Sequence, residues 1–159
     1  MSEIKIPILD LKDQYQSIQT EIQEAINRVL QSGRFILGEE VAQFEQAVAN
    51  YLGVKHAIGV NSGTDALIIS LRSLGIGEGD EVITTPFSFF ATAEAISQVG
   101  ATLIFVDVEA ESFNINPRKI VQKITPNTKA ILPVHLYGNP AAIAQIVEIA
   151  KTYNSKIVE

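Results

Sequence analysis

The chain has 159 residues, 47% of them hydrophobic, which is the length of one ordinary domain with enough apolar content for a core. Against 18 acidic residues stand only 12 basic ones, a net charge of −6 with no Lys/Arg cluster, which argues against nucleic acid or an anionic membrane as a partner. With no cysteine, no signal-peptide core in "MSEIKIPILD" and no stretch apolar enough to span a bilayer, disulfides, thiolate metal sites and membrane insertion are excluded, and a cytoplasmic protein is expected.

In chain order, Tyr15, Ile18, Ile22, Ile26, Val29 and Leu30 recur at three- and four-residue steps, predicting an amphipathic helix that stops near Gly33. "GRFILG" follows as a loop, and Val41, Phe44, Val48 and Leu52 mark a second helix ended by Gly53. Beyond it, short apolar runs alternate with helical ones. "HAIGV", "EVITT", "ATLIFVDV", "AILPVHL" and "SKIVE" read as strands; "TDALIISLRSL", "FFATAEAISQV", "NPRKIVQKI" and "AAIAQIVEIAKTY" read as helices. Strands separated by helices predict an α/β fold: a mostly parallel sheet with helices on both faces.

Ligands of open α/β sheets sit beyond the carboxyl ends of the strands, so three such ends matter most. In "VNSGTDALIISL", Ser62 and Asp65 have the spacing of a capping box, a reading that needs no ligand. The same helix start offers free N–H groups and partial positive charge, Gly63 allows close approach, and the Thr64 hydroxyl adds a donor, so it also reads as a phosphate seat. Cap and seat are compatible. In "TTPFSFFATAEAI", Phe87, Phe89 and Phe90 crowd a turn, either as core or as a stacking face for a flat ligand. In "ILPVHLYGNPAAI" a buried strand runs into His135 and Tyr137; a metal role for His135 lacks partners, since His56 is the only other histidine.

Taken together, "FILGEEVAQFEQAVANYLG", "NSGTDAL", "GDEVITTPFSFFATAEAI" and "PVHLYGNPA" closely resemble the sugar aminotransferases of the DegT–DnrJ–StrS group, from "PILDLKDQY" to "SKIVE". That resemblance implies the aspartate-aminotransferase (type I) fold and the cofactor pyridoxal 5'-phosphate (PLP). Carried across, it makes Gly63 and Thr64 cofactor-phosphate residues and Phe89 the ring that stacks on the pyridine, with Ser62 and Asp65 in support. His135 and Tyr137 match a motif near the cofactor without an assigned role. The group's ring-nitrogen aspartate follows "IVE" directly, and its Schiff-base lysine comes later; both are expected beyond Glu159. Lys156, near the start of its strand, does not take that place, so no catalytic residue is assigned within the chain.

The implied organisation is an amino-terminal helix and loop, residues 1–35, near a homodimer interface, and residues 36–159 as the first part of the PLP-binding large domain, with the carboxy-terminal remainder absent. The implied reaction moves an amino group, with glutamate as donor, to a nucleotide-linked keto-sugar; "GTDAL" resembles members acting at the sugar 3-position. The 159 residues alone are expected to be inactive. A dehydratase of the same group and a non-catalytic nucleotide- or phosphate-binding α/β remnant stand as alternatives, the latter weakened by the lack of G-x-G-x-x-G and of a P-loop.

Overall fold

The structure, a computed structural model, describes residues 8–159. The chain divides into two compact units, Met1–Gly59 and Val60–Glu159; residues 1–7, the start of the expected amino-terminal segment, lie outside the described residues.

In the first unit, helix α1 (Leu11–Ser32) begins where the Asp10 carboxylate accepts from the N–H groups of Lys12 and Asp13 at 3.0 and 3.1 Å. Two donors that a helix start leaves orphaned are thereby satisfied. It ends at Gly33, whose φ of +64° is the left-handed conformation that closes a helix. Helix α2 (Glu39–Leu52) closes the same way at Gly53. The expected apolar stripes are there, but α1 buries none of its side chains and α2 buries only Ala49.

One expected strand does not form. Residues 56–60, "HAIGV", join no ladder, and the Gly59 N–H donates to the Glu45 carboxylate at 2.7 Å. Apolar character makes a segment willing to pair; only a neighbouring strand makes it a strand.

In the second unit four parallel strands, β1 (Glu81–Thr84), β2 (Thr102–Phe105), β3 (Thr128–Ile131) and β4 (Lys156–Ile157), lie in the order β2-β1-β3-β4. Around them run helices α3 (Gly63–Ser73), α4 (Phe90–Gln98), α5 (Pro117–Val121) and α6 (Ile143–Thr152). Alternation along the strands sorts the core into two layers. Val82, Ala130 and Val158 pack with Ile68 and Leu71 of α3 and Ala95 and Ile96 of α4. Ile83 and Ile131 face the other way, onto Ile120 of α5 and Ile146 and Ala150 of α6. The α/β fold with helices on both faces is therefore as the sequence pattern predicts.

The strands are shorter than their apolar runs. "AILPVHL" leaves the ladder after Ile131: Leu132 N–H still donates to Ile83 O at 2.8 Å, and Pro133 has no N–H to continue. "ATLIFVDV" forms only β2, because this edge strand pairs on one side, with a four-residue partner.

Topology then fixes where a ligand belongs. From β1 the chain passes through α4 on one face to β2; β3 lies on the opposite side of β1 and feeds α6 on the other face. The connections leaving β1 and β3 go to opposite faces from their carboxyl ends, which makes this the topological switch point at which open α/β sheets bind ligands.

Candidate functional site

Three segments meet this carboxyl edge. Helix α3 runs toward β1 through the turn at residues 74–80, so its start lies at the far, carboxyl side of the sheet. Ser62 is the cap: its hydroxyl accepts from Asp65 N–H at 3.0 Å, and its carbonyl accepts from Ala66 N–H at 3.0 Å. That leaves the N–H groups of Gly63 and Thr64, the first two of the helix, without an intrahelical acceptor. A Cβ built at Gly63 would meet nothing within 4 Å, and its backbone is not left-handed. Neither packing nor conformation demands glycine there, and the backbone is open to approach. The donor set fits a phosphate group: two helix-start N–H groups, a half-buried threonine hydroxyl beside them and the positive end of a helix dipole.

The second segment is the loop from β1 to α4. Thr85 turns it by accepting Phe87 N–H at 3.2 Å, and Phe89 stands at the cap position of α4 with an extended backbone and no side-chain cap. Its ring is 81% exposed, so core packing does not account for it. Phe87 is different: its ring meets Phe113, 5.6 Å between centroids, and packs against its own unit. Phe89 and Phe90 line an open groove of about 730 Å³ with Pro86 and Phe105. That groove follows α4 and β2, and Ser62, Gly63 and Thr64 are not among its walls.

The third segment follows β3. His135 Nδ1 accepts from Ala141 N–H at 3.0 Å, which puts the ring proton on Nε2, where it is donated to the Glu159 carboxylate at 2.8 Å. Both nitrogens are engaged, and His135 thereby joins the loop after β3 to the end of β4. Asn114, buried on the loop after β2, donates to Asn139 O at 2.9 Å and accepts from Leu136 N–H at 3.2 Å. Asn114 and Glu159 are residues that sequence reading missed: both act across more than 20 positions, and no local pattern marks such a bond. Lys156 is the first residue of the two-residue β4, opposite Ala130. Among the described residues no cluster of three or more His, Cys, Asp or Glu could hold a metal, and no helix is long and apolar enough to cross a membrane.

A profile of the DegT/DnrJ/EryC1/StrS aminotransferase family matches residues 16–159. The chain belongs to that family. A dTDP-3-amino-3,6-dideoxy-alpha-D-galactopyranose transaminase of Aneurinibacillus thermoaerophilus is 49% identical over 154 residues, 97% of this chain and 42% of that protein. A dTDP-3-amino-3,4,6-trideoxy-alpha-D-glucose transaminase of Streptomyces venezuelae is 45% identical over 98% of this chain and 41% of its own length. Among solved structures, S. venezuelae DesV in complex with a ketimine intermediate matches with a TM-score of 0.96 and 44% identity, over 99% of this chain and 42% of that one. NtdA of Bacillus subtilis with its bound cofactor PMP matches with a TM-score of 0.87 and 40% identity, over 98% of this chain and 36% of that one. The fold is thus that of PLP-family aminotransferases, and the chain spans 36% to 42% of the length of these relatives.

Proposed function

We propose that the full-length protein is a PLP-dependent aminotransferase that moves an amino group from an amino acid, with glutamate as donor, to carbon 3 of a nucleotide-linked keto-sugar. The observation that carries this reading is the pair of unpartnered N–H groups at Gly63 and Thr64, open to approach at the carboxyl edge of a family-matched sheet. Carbon 3 is supported by "GTDAL" and by the 3-amino sugars in the names of the transaminases from A. thermoaerophilus and S. venezuelae.

Bound PLP supplies an electron sink, and the protein supplies position and charge. Gly63 and Thr64 hold the phosphate through backbone N–H and the Thr64 hydroxyl, Ser62 fixes the helix start that presents them, and Phe89 offers its exposed ring as the stacking face. We assign the proton-transferring lysine and the aspartate on the ring nitrogen to the part of the relatives' length that this chain does not span, and expect the 159 residues by themselves to be inactive. We place the enzyme in the cytoplasm, consistent with a chain free of cysteine. We also assign it a homodimer, with residues 1–35 near the interface; the support is the uncovered stripe of α1 and the exposed run Phe35, Ile36 and Leu37. Sedimentation of the full-length protein as a monomer with full activity would reject the dimer.

PLP affinity and apo-protein stability, measured side by side on the full-length protein, separate seat from cap. Gly63→Val crowds the backbone that meets the phosphate and spares the fold, since its Cβ enters open space. Thr64→Ala removes one hydrogen bond to a charged acceptor, about 1.5–3 kcal/mol or one to two decades in affinity. Ser62→Ala instead costs about 1 kcal/mol of apo stability through the lost cap. Wild-type PLP affinity in both Gly63→Val and Thr64→Ala would leave the cap as the only role of this turn.

A further inference from the structure

Tyr137 is the least explained residue on the carboxyl edge. It lies in the short turn Leu136–Gly138 after β3, its backbone is left-handed at φ 52° and ψ 28°, and its side chain is 94% exposed. A bulky side chain rarely adopts that conformation, and glycine adopts it freely. Among the described residues almost nothing covers the ring, yet the surrounding backbone is tied down on every side. Gly138 N–H donates to His135 O at 3.1 Å and Asn139 N–H to Leu136 O at 2.9 Å. The buried Asn114 side chain accepts from Leu136 N–H and donates to Asn139 O, and the His135 ring closes the loop by accepting from Ala141 N–H. An otherwise unfavourable conformation persists where surrounding structure over-determines it, and such positions gather at ligand sites.

The position decides which ligand. The loop holding Tyr137 leaves the carboxyl end of β3, the strand next to β1, whose own carboxyl-end loop carries Phe89. A dicarboxylate amino-acid donor calls for cationic partners, and a phenol is neutral. A sugar ring presents C–H faces for an aromatic ring and hydroxyls for a phenolic O–H, which is the mixed surface a tyrosine matches. We infer that Tyr137 is a specificity-determining residue that contacts the sugar of the nucleotide-linked substrate, held in a left-handed turn by Asn114 and His135 for that purpose. This rests on the aminotransferase reading above.

The test uses full-length, PLP-loaded enzyme and whichever of a dTDP- or UDP-linked 3-ketohexose it turns over faster. Failure to load PLP or to turn over either sugar defeats the aminotransferase reading itself, before Tyr137 is reached. With those in place, Tyr137→Gly should raise the KM for the sugar by at least about tenfold, and Tyr137→Phe by roughly threefold to tenfold through loss of one neutral hydrogen bond. The KM for the amino-acid donor and the absorbance of the bound cofactor should stay at wild-type values. The thermal midpoint of Tyr137→Gly should equal or exceed the wild type, because glycine relieves the left-handed strain. Three results would overturn the inference: an unchanged sugar KM in both variants, equal changes in donor and sugar KM, or a lowered midpoint in Tyr137→Gly, which would show that the ring packs against protein.

Discussion

Helices α1 and α6 carry apolar stripes of the same kind and meet opposite fates. In α6, Ile146 is fully buried and Ala150 nearly so, packed against Ile131 and Ile120 beneath the sheet. In α1, Ile18, Ile26 and Leu30 keep 40%, 52% and 59% of their surface exposed, and no side chain of the helix is buried. Both patterns satisfy the helical period equally, so the period reports that a face is apolar and leaves open what covers it. An isolated helix is marginal in water, and α6 is held by its sheet while α1 has no such layer within its own unit.

The largest expected effect tests that contrast within the 159-residue chain. Ile131→Ala empties a fully buried position between two helices and should cost about 2–5 kcal/mol of unfolding free energy in urea. Ile26→Ala removes a half-exposed side chain and should cost less than about 0.5 kcal/mol. Equal losses would mean that α1 is already packed and would break the comparison.

A second measurement sharpens it in the full-length protein. If the stripe of α1 is covered by a second copy, a charge at its centre should be felt in association and little in folding. Ile26→Asp should weaken the dimer by at least about tenfold, read as a shift of the sedimentation profile with protein concentration. An unchanged dimer would assign the stripe to some other cover.

What could be read from residues alone follows the same division. Local chemistry was legible: the Ser62 cap, the stops at Gly33 and Gly53, and the two-faced sheet whose alternating Val82 and Ile83 point to opposite layers. Non-local pairing was not. "HAIGV" has the composition of a strand and joins no ladder, while "AILPVHL" carries its own stop at Pro133, which a run of apolar residues conceals. At the candidate site, Gly63 and Thr64 stand where the helix start predicts. The hold of Asn114 on the loop after β3 and the left-handed backbone of Tyr137 depend on partners distant in sequence, and tyrosine signals no such turn.

The smallest expected effect concerns a surface tie within the second unit. Lys119 Nζ on α5 donates to Asp107 Oδ2 at 2.8 Å, and Val108 N–H donates to Asp107 Oδ1 at 2.9 Å. The hydrogen bond from Lys119, then that from Val108, holds the Asp107 carboxyl below its ordinary value. A carboxylate depressed on folding adds stability that is fully present above its unfolded pKa, about 3.9, and is lost as pH falls through the lower folded value. Both side chains are solvent-exposed, which keeps the contribution small and open to screening by salt. Asp107→Asn should therefore lower the thermal midpoint slightly at neutral pH, and less so in high salt. The gap to wild type should close once the pH falls below the folded pKa of Asp107. A gap that persisted unchanged in acid and in salt would trace the loss to the shape of the turn after β2, with the ion pair contributing nothing.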